Sequence, residues 1–548
     1  GRMGEGHMKT RKRMGAVLAM AAAVLGVLGA LGGYLFSRNY RVLAGKPYLR
    51  ASEVLDLSGV QGVEFDRLRD FPQLKALDAR GTGLDVASYQ MLRAVNPGCS
   101  ITWEIPFQGQ FLPQDTQEVT VTTLTAEEAR ALALVPGLLQ VEGPECRDYD
   151  ALELLAQLRP ECKVNYRVDL GGLRWGPGVR SLELSQADPE ELARNLPHLP
   201  QVETILFKTE LPDPALVSWL QRAFPQIGLF YALADRDVPL DAGTTVLSLN
   251  QCPLTLELAQ KLIDCYPELQ EVNLLECGLE EEELRQLCDD NPQVFFLWEG
   301  AFGPVRLRTD AREADLSGMP ITDLEALEGA LPYYPKLQKV DLSDCGLENE
   351  ELDAFNKRHE DVRIVWTVYA GKVRVRTDSL FFAPVKTGQE VYEGQLDNLR
   401  YCPDVIAVDV GHMPLRTCDW VRYFPKLQYL IIADTGISDI TPLADCQNLI
   451  FLEMFLTLCR DYSPLQQCKQ LEDLNLCYTY GPADPVREMT WLKRLWWDGI
   501  RYNDKDIADS LPETEVNLDS GSSTGAGWRE GDHYREQRDI LGMAYLHG

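Results

Sequence analysis

The chain has 548 residues, 45% of them hydrophobic and 25% charged, with a formal net charge of −30. So much apolar content marks a folded chain rather than a disordered one, and so acidic a surface repels phosphate backbones and excludes nucleic acid as a natural partner. The charge is uneven: residues 1–45 hold seven basic side chains against Glu5 alone, a net +6, which leaves −36 for residues 46–548.

The first predicted element follows the basic segment 1–13. Residues 14–36, MGAVLAMAAAVLGVLGALGGYLF, contain no charge over 23 positions. At ~1.5 Å per residue a helix of that length reaches about 35 Å, enough for a hydrocarbon core of roughly 30 Å. A single membrane-spanning signal-anchor is expected, with a cleaved signal peptide as the alternative. Lys9, Arg11, Lys12 and Arg13 favour a cytoplasmic N-terminus, against Arg38, Arg41 and Lys46 on the other side. Localisation is therefore read as cell membrane, single-pass, with the bulk of the chain extracytoplasmic. Gly29 and Gly33 form a G-x-x-x-G pair, so a weak homodimer through that ridge is a possible partner arrangement.

Residues 46–402 carry a long-period repeat. YPELQEVNLLECGLEEEELRQL (266–287) and YPKLQKVDLSDCGLENEELDAF (334–355) match at 13 of 22 positions. Pro72, Pro136, Pro200, Pro267, Pro335 and Pro403 precede successive strand patterns at spacings of 64, 64, 67, 68 and 68 residues, which defines a tandem array. Within a unit, LQKVDLSDCGL (337–347) reads L-x-x-V-x-L-x-x-C-x-L, the leucine-rich repeat signature, and ENEELDAFNKRH (348–359) reads as the following helix. VRIVWTVYAGKVRVRTD (362–378) reads as a β-hairpin around Gly371, with its counterpart 294–310 around Gly303. Each long unit is expected to hold two leucine-rich coils, one with an inserted hairpin.

Over 403–518 the period shortens. Patterns begin at Leu427, Leu449, Leu471 and Leu492, at spacings of 22, 22 and 21 residues. Together with the connecting segment DITPLADCQNL (439–449), this region resembles bacterial membrane-anchored leucine-rich repeat proteins, with internalin-like repeats at this end of the chain. The expected fold class is α/β: a leucine-rich repeat solenoid of parallel strands, helices on the convex side, inserted β-hairpins and one N-terminal transmembrane helix. Residues 519–548 read as a small-residue linker and a tail, the tail a short helix able to dock back on the last coil.

Chemistry is sparse. The six histidines have no partner at metal-ligand spacing, and no P-loop, nucleophile-elbow or zinc-protease pattern occurs. No catalytic residue, metal or cofactor is expected. The 14 cysteines read mainly as buried thiols: Cys277 and Cys345 as ladder residues, Cys459 in place of a core leucine, with Cys446 and Cys468 within reach of a bridge. Positions between the leucines should face the concave side. In the short-period coils they supply Tyr429, Phe451, Glu453, Phe455, Tyr478, Trp496 and Asp498, an aromatic cluster flanked by carboxylates; the equivalent Glu271, Asn273, Lys339 and Asp341 are polar. The expected function is cell-surface recognition or adhesion, with a protein or glycan ligand on that exposed aromatic face. A non-catalytic envelope scaffold acting through the hairpins is the alternative, and an envelope hydrolase a more distant one. Cover of the aromatics by the tail is the structural alternative to a binding role.

Overall fold

The structure is a computed structural model describing residues 5–500 and 505–519, together with Glu536 and Asp539. Most of the tail expected as a short helix lies outside the described residues. The chain divides into two compact units, Gly1–Thr244 with Glu257–Glu268, and Thr245–Leu256 with Leu269–Gly548. Each is a stack of leucine-rich coils.

In the first unit a helix, Glu5–Asn39, contains the uncharged run. Its stretch Ala16–Asn39 is long and apolar enough to cross a membrane, and none of it is buried. A hairpin, Tyr40–Leu43 with Lys46–Leu49, follows at once. Parallel sheets then alternate with hairpins: Val54–Asp56, Ala76–Asp78 and Ser100–Thr102 form one sheet, and Ile105–Phe107 turns back on Gln110–Leu112. The period recurs through Glu118–Thr120, Gln140–Gly143 and Lys163–Tyr166, with the hairpin Val168–Leu170 and Leu173–Trp175. In the last sheet of this unit the third parallel strand, Gly228–Leu233, itself pairs antiparallel with Arg236–Pro239.

The second unit repeats the plan twice and then changes it. Glu313–Asp315, Lys339–Asp341 and Arg363–Val365 are parallel, and Thr367–Ala370 pairs antiparallel with Val373–Arg376. The long unit therefore holds three parallel strands, not the two coils expected from sequence. What reads as one hairpin arm, VRIVWTVYA, is divided at Trp366: the residues before it continue the parallel stack and those after it form the hairpin. The indole is buried, and the Trp366 backbone N–H donates to Thr377 Oγ1 at 3.1 Å. Trp298 and Thr309 make the same joint one unit earlier, again at 3.1 Å. The tight returns require left-handed backbone, supplied by Gly303 (φ +58°) and Gly371 (φ +61°).

From Phe381 onward a seven-stranded parallel sheet runs without hairpins. Its strands are Phe381–Phe382, Ala407–Asp409, Tyr429–Ile431, Phe451–Glu453, Asp473–Asn475, Arg494–Trp496 and Glu515–Asn517. The segments behind it are mostly 3₁₀ turns, such as Thr441–Asp445 and Ser463–Gln467, in place of the expected convex helices. A 22-residue coil is too short for a full helix; the tighter, steeper 3₁₀ turn with proline near its start closes it. The main core lies between these turns and the strands, filled by ladders such as Leu430, Leu452, Leu474 and Leu495.

Many coils leave their strand by the same two steps. The last strand residue is commonly Asp or Asn, and its side chain accepts the backbone N–H two residues on, as Asp315 does from Ser317 and Asp341 from Ser343, both at 2.9 Å. The chain then passes through a left-handed residue at the same place in successive coils: Glu276, Asp344, His412, Asp434, Leu456 and Tyr478. The amide of this residue extends the ladder; Leu456 N–H donates to Cys477 C=O at 3.1 Å, and Tyr478 N–H to Asp498 C=O at 2.9 Å. Leucine is poorly suited to φ +57°, a conformation that costs a branched L-residue on the order of 1 kcal/mol. Leu456→Asn is expected to stabilise the protein by about 0.5–1 kcal/mol, measured by denaturant titration, because the side chain is exposed and forfeits little burial.

Candidate functional site: the open face of the seven-stranded sheet

In a parallel strand the middle residue of each triplet points to the core and its two neighbours to the opposite, open face. Register aligns Tyr429, Phe451, Asp473 and Arg494 in one row, and Ile431, Glu453, Asn475 and Trp496 in the next. Ile431, Phe451 and Trp496 of these rows join Ala407, Ala433, Phe455 and Cys477 in a second apolar cluster, distinct from the main core; Ile406, Tyr429 and Tyr478 pack against it. The Tyr429 and Phe451 rings lie 6.4 Å apart.

The exposure expected of these residues is overturned. Phe451 and Phe455 are 1% exposed, Trp496 is 7% and Glu453 is 0%. Tyr429, Tyr478 and Asp498 are half-buried. Sequence spacing brings the side chains to one face correctly, but a period states only which residues are neighbours, not what lies over them.

This face also departs from the local rule of the fold. Where Asp56, Asp78, Asn273, Asp315 and Asp341 end their strands, the coils of this face carry Ile431, Glu453 and Trp496. Asp409 and Asn475 keep the rule, accepting from Gly411 at 3.0 Å and Cys477 at 3.1 Å. Gly499 is needed twice here: its φ is +65°, and a Cβ would meet the Tyr478 ring at 2.4 Å.

The electrostatics are those of a buried acidic floor. Asp409, Glu453 and Asp473 are all buried. Arg494 donates to Asp473 from Nε and from Nη2, the latter at 3.1 Å. Burial raises the Tyr429 hydroxyl above its ordinary pKa, and Glu472 and Asp473 add to the effect. The preceding coils are different in kind. There Lys339 and Asp341 are half-buried, and burial of Asp378 is outweighed by Arg376 and by Lys339, 2.8 Å away, so that its carboxyl is held at about 2. Arg376 also bonds Asp341, tying the hairpin to the strand beneath it.

Elsewhere the structure unites residues that lie far apart in sequence. His198 Nδ1 is 2.9 Å from Glu153 Oε1, its ring lies against Tyr149, and ligand atoms of Asp150, Glu153 and His198 fall within 4.8 Å of one another. The ring is engaged in a coil-to-coil hydrogen bond, as is His359 with Glu328, also at 2.9 Å. No fixed sequence spacing signals such pairs. All 14 cysteines are free thiols, so Cys446 and Cys468 are not bridged. Burial pushes both of these thiols up to about 12. Cys277, Cys345 and Cys459 are buried.

No protein-family model matches the chain, and no curated protein matches it. Among solved structures it is similar to an internalin of Listeria monocytogenes at 11% identity, covering 82% of this chain and 94% of that one, with a TM-score of 0.20. It is similar to a leucine-rich repeat protein of Leptospira interrogans at 13% identity, covering 86% and 96%, with a TM-score of 0.22. For internalin C2 of Listeria monocytogenes the figures are 18% identity, 24% and 70% coverage, and a TM-score of 0.19. Scores this low carry no argument of their own. The fold defines the class directly: stacked parallel strands, most of them closed by a short helix or 3₁₀ turn, make this a leucine-rich repeat solenoid. Two of its short-period coils are closed by 3₁₀ connectors with a Pro-Leu pair, Thr441–Asp445 and Ser463–Gln467.

Proposed function

We propose that the chain is a non-catalytic recognition protein, held in a membrane through residues 14–36, that takes a protein or glycan partner on the open face of its short-period coils. One observation carries the reading: aromatic and acidic residues gather in one buried cluster on that face, while the same positions of the long-period coils are mostly small or polar, with scattered exceptions such as Phe230 and Phe295. Aromatic anchors beside a few fixed charges suit both protein hot spots and sugar stacking. The basic N-terminal segment favours an extracytoplasmic placement of the coils.

The second reading, an envelope scaffold, is favoured by the hairpins, which expose Phe111, Leu173 and Tyr369 at intervals along the array. Capture with the soluble region 46–548 separates the two. A single stoichiometric partner, bound at least tenfold more weakly by Tyr429→Ala/Tyr478→Ala at a temperature where thermal unfolding shows the variant still folded, is the expected result. Self-association that survives those substitutions and is lost with Phe111→Ser/Leu173→Ser/Tyr369→Ser would favour the scaffold and sink the recognition reading.

A further inference from the structure

The open face of the seven-stranded sheet is closed off, and the other sheets act as its control. In Val54–Asp56, Val246–Ser248 and Glu313–Asp315 only the middle residue is buried and both neighbours are exposed; in Glu271–Asn273 and Lys339–Asp341 the neighbours are half-buried. In Ala407–Asp409, Phe451–Glu453 and Asp473–Asn475 all three residues are buried. The coils share one geometry, so the difference lies above the sheet. Cross-strand neighbours, about 4.8 Å to either side, flank a side chain without roofing it. Among the described residues, those that pack on the cluster, Ile406, Tyr429 and Tyr478, belong to the face itself or its rim. What roofs this face must be apolar, and it lies over a floor that includes the buried carboxylates Asp409, Glu453 and Asp473, the last of them held by Arg494.

We propose that residues 528–548 of the same chain occupy this face, as an intrachain ligand that an external partner must displace. Several facts select that segment. It follows Glu515–Asn517, the edge strand next to Arg494–Trp496. The spacer 520–527, SGSSTGAG, has no bulky side chain and spans up to about 27 Å when extended. The cluster runs from the Ala407 strand to the Trp496 strand, four strand spacings or about 19 Å. Glu536 and Asp539 are helical and exposed. On the opposite side of that helical projection the sequence reads Tyr534, Arg538, Leu541 and Tyr545, an i, i+4, i+7, i+11 stripe of apolar residues around one cation. The segment's cations are Arg529, Arg535 and Arg538, set against Glu530, Asp532, Glu536 and Asp539, of which Glu536 and Asp539 lie on the exposed side. An amphipathic helix laid in an apolar groove is a common mode of peptide recognition, and the arginines match the acidic floor.

Occupancy does not depend on the recognition reading; the competition with a partner does. The test uses the full chain in detergent, with a site-specific protease sequence replacing 521–527 so that the protein folds before it is cut. After cleavage the 528–548 fragment is expected to co-elute with the body in a one-to-one complex. It should dissociate at least tenfold faster when it carries Arg535→Glu/Arg538→Glu, or when the body carries Glu453→Gln. A photo-crosslinker in place of Tyr534 should label peptides within 407–496. Release of the fragment from a body that stays monomeric would overturn the proposal, as would release accompanied by dimerisation, which would assign the face to a second copy. Crosslinks confined to other regions, or retention indifferent to all three substitutions, would overturn it as well. Retention without any gain in partner capture when the fragment is washed out would uphold the occupant and defeat recognition at this face.

Discussion

Trp496→Ala is expected to destabilise the seven-stranded stack by about 3 kcal/mol, the order measured for truncating a large aromatic side chain in a packed interior. The ring is 7% exposed in a cluster with Phe451, Phe455 and Ile431, so its removal leaves a cavity in place of a wetted surface. Denaturant unfolding of the full chain should show a lower midpoint with unchanged slope. An unchanged midpoint would mean that the ring is solvated in solution and that the cover over it is absent. Because truncation strips contacts from both the sheet and whatever lies above it, the same variant should release the cleaved 528–548 fragment faster than wild type. Those two readouts move together only if the cluster is a packed interface.

Leu474→Ala is expected to cost about 3–4 kcal/mol, within the range for deleting three buried carbons where neighbours cannot collapse. Leu474 is 0% exposed at the centre of the main core, between Leu452 and Leu495 in adjoining strands. In a repeat stack each coil contacts only its neighbours, so the loss should fall on the coils from Tyr429 to Asn517 first. Hydrogen exchange is the discriminating measurement: protection should drop in those strands while Ala76–Asp78 and Gln140–Gly143, in the other compact unit, keep theirs. A uniform loss across both units would refute nearest-neighbour stability for this chain. Leu474 and Trp496 thus probe opposite faces of one sheet, and both effects are expected to be large because both faces are buried.

The array itself was legible because its signals are local. Pro72, Pro136, Pro200, Pro267, Pro335 and Pro403 each stand in the turn just before a parallel strand, from Ala76–Asp78 to Ala407–Asp409. Leucine spacing then assigned the core face, and Gly303 and Gly371 marked the hairpin turns, since few other residues adopt their backbone angles. The third parallel strand was hidden. Arg363–Val365 and Thr367–Ala370 form one continuous alternating run, and alternation is identical for parallel and antiparallel pairing. Only the burial of Trp366 and its bond to Thr377, eleven residues on, divides them.

The sequence by itself determined the repeat, the anchor-like helix, the core ladder and the set of side chains that share the open face, because each follows from period, length or backbone preference within one coil. Tertiary structure decided whether that face meets water. Tyr429, Phe451, Glu453, Phe455, Tyr478, Trp496 and Asp498 have the alternation of residues on a solvated sheet, and the same alternation in Glu313–Asp315 does leave both neighbours exposed. Burial is a property of what packs across a surface, and segments that meet there are joined by no spacing rule. The pairing of His198 with Glu153 across 45 residues has the same origin. The physical reason is common to both: covalent neighbours set direction, while free energy is gained wherever distant apolar and charged groups can be brought out of water together.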